Sequence, residues 1–176
     1  MSQPNTGLPM PATRAELFAM LDTLGIETKT HEHDAVFTVA ESLDIERAMP
    51  GAHTKNLFLK DKKDRLFLVV ALNHTAIDLK TLHKTLDCDR LSFGKAELLE
   101  EVLGVKPGSV TPFSLINDKA TRVVVVLDKD MMAEHLLNYH PLENTATTAI
   151  AREDLLRFIR ATGHEPRIVK ASGLDG

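Results

Sequence analysis

Interleaved strand-like and helix-like segments place this 176-residue chain in the mixed α/β (α+β) class. Three observations carry that expectation. Two apolar runs, residues 54–60 and 65–72, flank the polar connection Asp61, Lys62, Lys63 and Asp64, which is the pattern of a β-hairpin. Several stretches repeat apolar residues at helical intervals between cap and stop signals. Residues 121–127 form a strongly β-branched run expected to be a central strand.

The elements follow in order. Thr13 and Glu16 have capping-box spacing, and Leu17, Phe18, Leu21 and Leu24 repeat as one helical face until Gly25 stops it. Residues 26–32 alternate as a short strand, and Thr38 with Glu41 offers a second cap before a short helix. Residues 65–72 are almost wholly apolar, so the second hairpin strand is expected to be covered on both faces. Residues 78–86 read as a helix, 89–93 as a short strand, and 95–103 as an amphipathic helix ended by Gly104. Thr111 and Pro112 form a cap and first-turn pair, predicting a short helix with unpaired N–H groups at its start. Residues 128–137 read as a helix, 138–144 as a polar loop, 145–150 as a strand, 151–162 as a helix and 166–169 as a last strand. The organisation expected is a flexible leader over 1–12, a single domain over 13–170 and a loose tail over 171–176.

Composition bounds the function. With 43% hydrophobic and 26% charged residues the chain can fill one core. The absence of Trp removes the best stacking platform for single-stranded nucleic acid. The net charge of −4 argues against wrapping DNA or other long nucleic acid. Residues 54–95 nevertheless hold nine basic against five acidic side chains, a net of +4 that leaves −8 elsewhere. Such a patch suits one terminus or a few phosphates. No apolar run reaches the roughly 18 residues that span a bilayer, and one cysteine without a partner fits a reducing, cytoplasmic setting.

Several chemical engines are excluded. There is no Gly-x-Ser-x-Gly elbow, no His-Glu-x-x-His zinc motif and no dinucleotide fingerprint. Cys88 lies between two aspartates, which raise a thiol pKa and make it a poor nucleophile. His31, Glu32 and His33 invite a metal reading, but no suitably spaced further ligands follow, and strand-edge histidines explain them better. An enzyme built from these residues is expected to work with no metal, no cofactor and no protein nucleophile, by orientation and oxyanion stabilisation. Lys55 and Asn56, at the mouth of the first hairpin strand, can hold an anionic or polar ligand; an ordinary exposed lysine is the plainer alternative.

Three motifs in order carry a resemblance: Lys55-Asn56-Leu57-Phe58-Leu59; Gly108-Ser109-Val110-Thr111-Pro112 with Asn117; and His140-Pro141-Leu142-Glu143-Asn144-Thr145-Ala146-Thr147-Thr148. Together they resemble the YbaK / prolyl-tRNA synthetase-associated editing domain family, nearest its free-standing alanyl-tRNA(Pro) deacylases. The resemblance implies a curved, partly closed, mostly antiparallel sheet ringed by helices, and hydrolysis of misacylated tRNA in trans. It also implies roles: Lys55 on the terminal adenosine phosphate with Asn56 beside it, Gly108 to Pro112, including Ser109 and Thr111, around the aminoacyl group and water, and His140 as the pocket histidine. Asn117 and Asn144 accompany these motifs as substrate-binding positions, and Arg90 is a further tRNA or adenosine contact. The implied partners are the acceptor end of aminoacyl-tRNA and prolyl-tRNA synthetase. Deacylation of cysteinyl- or seryl-tRNA, or non-catalytic binding of an aminoacyl ligand, stand as alternatives.

Overall fold

The computed structural model describes residues 10–35 and 39–172. The expected cap at Thr38, most of the leader and most of the tail lie outside those residues. Helix α1 (Arg14–Thr23) begins at Thr13, whose hydroxyl accepts from the Glu16 N–H while the Glu16 carboxylate accepts from the Thr13 N–H. Strand β1 (Thr28–Glu32) and helix α2 (Val39–Ala48) follow. The hairpin forms as expected from β2 (Ala52–Asp61) and β3 (Leu66–Leu72), paired from Thr54↔Leu72 to Lys60↔Leu66. Every residue of β3 is buried.

Helix α3 (Leu79–Leu86) starts at Asp78, whose carboxylate accepts from the Lys80 N–H. Strand β4 (Leu91–Phe93) leads into α4 (Ala96–Leu103), which Gly104 ends at φ +67°. A 3₁₀ helix (Pro112–Asn117) precedes β5 (Val123–Asp128). The chain finishes with β6 (Leu136–Tyr139), β7 (Ala146–Ala151), α5 (Arg152–Ala161) and β8 (Arg167–Val169).

The eight strands form one mixed sheet in the order β1-β7-β6-β2-β3-β5-β8, with β4 added beside β2. Four of the seven pairings are antiparallel, and the path does not close into a barrel. One face carries the larger core, where Leu17, Leu21, Leu103 and Phe158 from helices meet Phe58, Val70 and Tyr139 from strands. Phe113 packs edge-on against Phe158 and Tyr139, with centroids 5.4 and 6.1 Å away, contacts worth about 0.5–1.5 kcal/mol each beyond area burial. The opposite face is sealed by Leu82 and Leu86 of α3 against Leu59, Phe67, Val69 and Val126. Among the described residues no helix is long and apolar enough to cross a membrane.

One expected element is replaced. Residues 128–137 are not a helix: a single 3₁₀ turn (Met131–Ala133) gives way to β6 at Leu136. The Asp128 carboxylate accepts from the N–H groups of Asp130, Met131 and Ala171, turning the chain at once. Leu136 to Tyr139 then pair with β7 on one side, and Leu137 and Asn138 with β2 on the other. Non-local hydrogen bonding to two strands wins over a weak helical repeat.

Asp61 locks the hairpin connection. Its carboxylate, 1% exposed, accepts from the N–H groups of Lys63, Arg65 and Asp89 and from the Arg65 guanidinium at 2.8–3.3 Å. Burial alone would push this carboxyl up, but those donors outweigh it and hold the pKa below its ordinary value. The stabilisation is therefore complete above the unfolded value of about 3.9 and is lost as pH falls through the lower folded one. Asp61→Ala is predicted to lower the unfolding free energy by ~1.5–3 kcal/mol at neutral pH. In urea titrations the gap to wild type should narrow below about pH 4; a gap independent of pH would show that the carboxylate charge is irrelevant.

Candidate functional site

Strand β2 hands its second edge from one neighbour to another. At its start Ala52 and His53 pair in parallel with Leu137 and Asn138 of β6; at its end Leu59 to Asp61 pair with β4. Between these contacts, among the described residues, no strand pairs with that edge. A cavity of about 270 Å³ opens where β2 and β6 part, near the lower end of the roughly 300–1,000 Å³ typical of ligand pockets. Asn56 and Thr54 line it from β2, Asn138 and His140 from β6 and its following loop, Thr147 from β7 and Glu46 from α2.

His140 is held by a hydrogen bond of 2.9 Å between Nδ1 and the Ala146 carbonyl. A carbonyl only accepts, so Nδ1 carries the proton and the neutral ring keeps a lone pair on Nε2. Burial pushes the His140 pKa below its ordinary value; charge on His33, whose ring centroid lies 6.4 Å away, pushes the same way, while the Ala146 bond opposes both. By the same logic His33 donates from Nδ1 to the Asp34 carbonyl at 2.7 Å, while its Nε2 shares a hydrogen bond of 2.9 Å with the Thr147 hydroxyl, which can serve as donor or acceptor. His31 and His33 belong to no cluster of three or more His, Cys, Asp or Glu side chains able to hold a metal among the described residues.

Successive strand residues point to opposite faces, and this separates Lys55 from Asn56. Asn56 lines the cavity. Lys55 lies on the side of Leu57 and Leu59, and its ammonium donates to the Thr75 carbonyl. The turn it clasps carries Asn73, which lines the cavity and donates to Glu46 at 2.8 Å. Lys55 therefore points away from the cavity and touches only the turn beside it.

The glycine loop does not line the cavity. Gly108 is exposed at φ +93°, a conformation that disfavours side chains, and a Cβ there would lie 3.8 Å from the Asn144 amide nitrogen. Asn144 belongs to the loop that carries His140, so those two motifs meet. The helix start beside them does not offer open donors. Thr111 and Pro112 are buried, the Thr111 hydroxyl accepts from the Phe113 N–H, and the Thr111 carbonyl accepts from Ser114. The Ser109 N–H donates to the Lys106 carbonyl at 2.9 Å. Any amide cradle must come from the loop around Gly108.

Two further positions lie apart from the cavity. Asn117 ties α4 to the chain start, donating to the Leu103 carbonyl at 2.8 Å and accepting from the Ala12 N–H at 2.7 Å. Arg90 is exposed just before β4, whose Leu91 pairs with Asp61, six residues along β2 from Lys55; at strand spacing that is about 20 Å away. Sequence reasoning missed Asn138 and Thr147 as cavity residues. The helix expected over 128–137 hid the strand alternation that would have turned Asn138 inward.

The geometry predicts that the His140 ring, followed by NMR, titrates below the ordinary histidine value of about 6.5. His33→Asn should raise that midpoint by removing a repelling charge. Because the folded pKa is depressed, protonating His140 costs stability, and stability falls as pH drops from ~6.5 through the folded value. A midpoint at or above about 6.5 would contradict a half-buried ring held neutral.

Comparison with known proteins shows the family. A family model described as the aminoacyl-tRNA editing domain matches residues 33–158. The chain is 37% identical over 158 residues to the prolyl-tRNA editing protein ProX of Acetoanaerobium sticklandii, covering 89% of this chain and 96% of that one. It is 40% identical to prolyl-tRNA synthetase associated domain-containing protein 1 of Danio rerio, covering 89% and 86% of the two chains. A solved structure described as a candidate trans-editing enzyme for prolyl-tRNA synthetase shares the fold, with a TM-score of 0.67, 21% identity, and 90% and 98% coverage. The chain belongs to the aminoacyl-tRNA editing domain family.

Proposed function

We propose that this chain is a free-standing deacylase that hydrolyses the ester of misacylated tRNA in trans, with alanyl-tRNA(Pro) as its substrate. The observation that carries the reading is the small cavity between β2 and β6, with a half-buried His140 on one wall and the loop that carries His140 reaching the Gly108 turn through Asn144. Family membership supplies the reaction class.

In this reading the aminoacyl group enters the cavity and the terminal adenosine stays at the rim. Water attacks the ester carbonyl carbon; the new carbon–oxygen bond forms as the bond to the ribose oxygen breaks, and a proton passes to that oxygen. The products are the free amino acid and tRNA with its terminal hydroxyl restored. His140 Nε2 accepts a hydrogen bond that orients the water or the neighbouring ribose hydroxyl, and the Gly108 loop faces the developing oxyanion. Lys55 exchanges the Thr75 carbonyl for the phosphate of the terminal adenosine. An ester is already activated, so orientation and charge stabilisation suffice.

Size sets the need for this step. A synthetase built for proline rejects a smaller amino acid by only about 1–3 kcal/mol per missing methylene, and a second, smaller site removes the error. The acceptor end of tRNA is the macromolecular partner, prolyl-tRNA synthetase is the neighbouring activity, and the cytoplasm is the setting. Arg90 lies too far along β2 for the same nucleotide and suits a contact further down the acceptor stem.

Purified protein is expected to release alanine from alanyl-tRNA(Pro) faster than it releases cysteine or serine from their tRNA(Pro) esters. Lys55→Ala and His140→Ala should each lower kcat/KM at least about tenfold, within the range of positioned polar groups. No release from any of the three esters would remove the deacylase reading, and an unchanged Lys55→Ala rate would remove the lysine from the site.

A further inference from the structure

Two residues that line the cavity, Asn56 and Asn138, each carry a side-chain carbonyl oxygen that is buried and has no hydrogen-bond partner among the described residues. A buried acceptor left unpaired costs about 1–3 kcal/mol, so two of them on side chains around one small space call for a donor. The orientation of Asn138 is set by its surroundings. Its Nδ2 donates to the Pro50 and Ala52 carbonyls at 3.1 and 3.2 Å. Those carbonyls cannot donate, so the amide has one orientation, and Oδ1 is the atom left over. The side chain is 3% exposed.

The chain builds this arrangement at Gly51. A Cβ there would come within 2.9–3.0 Å of Leu136 Cγ, Asn138 Nδ2 and the Leu136 carbonyl, and φ is +98°. Only glycine lets the 50–52 turn close on the Asn138 amide. The Asn56 side chain, in contrast, makes no hydrogen bond with the described residues, so its amide is free to turn its oxygen to a donor.

Charge points the same way. Among the described residues, Glu46 is the one Asp, Glu, Lys or Arg side chain lining this cavity, and it is acidic. Lys55 reaches away to Thr75. Acceptor oxygens with a carboxylate and no cation repel a phosphate and attract a cationic donor.

We propose that Asn138 and Asn56 bind the α-ammonium of the aminoacyl group, so that the site reads a free amine as well as a small side chain. The inference rests on the deacylase reading for its ligand and names a part of the substrate that reading leaves unassigned. An ammonium carries three donors, enough for both amide oxygens with one left toward Thr147 or Glu46. Asn138 acts here as a specificity-determining residue: it holds the end of the ligand that is not broken.

The test uses the full-length chain and two hydrolysis-resistant probes, 3′-alanylamido-3′-deoxyadenosine and its 3′-propanoylamido counterpart, in which hydrogen replaces the amine without adding bulk. Calorimetry is expected to show the alanyl probe bound at least 20-fold tighter. Asn56→Leu, which removes no internal hydrogen bond, should bring that ratio below about 3 by weakening the alanyl probe alone. Asn138→Leu should do the same if it folds by circular dichroism; Asn56→Leu decides the matter if it does not. Equal affinity of wild type for the two probes, equal weakening of both by Asn56→Leu, or binding of neither would overturn the proposal. The two readings separate cleanly: preference for the alanyl probe without hydrolysis of alanyl-tRNA(Pro) sinks the deacylase and keeps the ammonium site. Equal kcat/KM on alanyl- and propanoyl-tRNA(Pro) does the reverse.

Discussion

The molecule depends on how one strand shares its edges. β2 is bonded to β3 along most of its length, yet its other edge belongs to β6 for two residues and to β4 for three. A sheet needs its backbone groups paired, so a strand with a break in pairing must be secured at both ends. Here the Asp61 carboxylate gathers the far end with four donors, and the Thr54 hydroxyl bonds the Asn138 carbonyl at 2.7 Å at the near end. The interval between can stay open because the ends cannot drift. The cavity is thus a property of topology, lined by side chains that a continuous sheet would have pressed together.

The same strand divides the electrostatics. Alternation sends Asn56 into the cavity and Lys55 to the other side, so one dipeptide serves two environments of opposite polarity. The cavity is lined by acceptor-bearing side chains, a carboxylate and a histidine whose pKa burial lowers. The lysine is turned away from it. This division suits a ligand whose own charges are separated, with a phosphate at one end and an ammonium at the other.

Much of this was legible in the amino-acid order. The hairpin, the Thr13–Glu16 box and the Gly104 stop depend on neighbours within a few positions, and all three form as expected. β6 was illegible because its hydrogen bonds go to one strand over 80 residues earlier, β2, and to β7, while Met131, Met132, His135 and Leu136 mimic a helical repeat. The Thr111–Pro112 cap was recognised, but sequence could not tell that Phe113 would bury the turn against Tyr139 and Phe158 and use up its donors. The motif residues divide likewise. His140 and Asn56 share the cavity, Gly108 meets only Asn144 of the His140 loop, Asn117 is engaged in tying elements together, and Arg90 sits beside the far end of β2.

Gly51 bears on how such a site can vary. The residue meets no substrate in any reading of the cavity, and its backbone sits two positions before the first cavity-lining residue of β2. A single methyl group there would jostle Leu136 and the amide that Asn138 presents. Divergence among proteins sharing this architecture therefore has a quiet control point: ligand preference can be retuned from outside the binding wall, by a change that leaves every contacting residue in place.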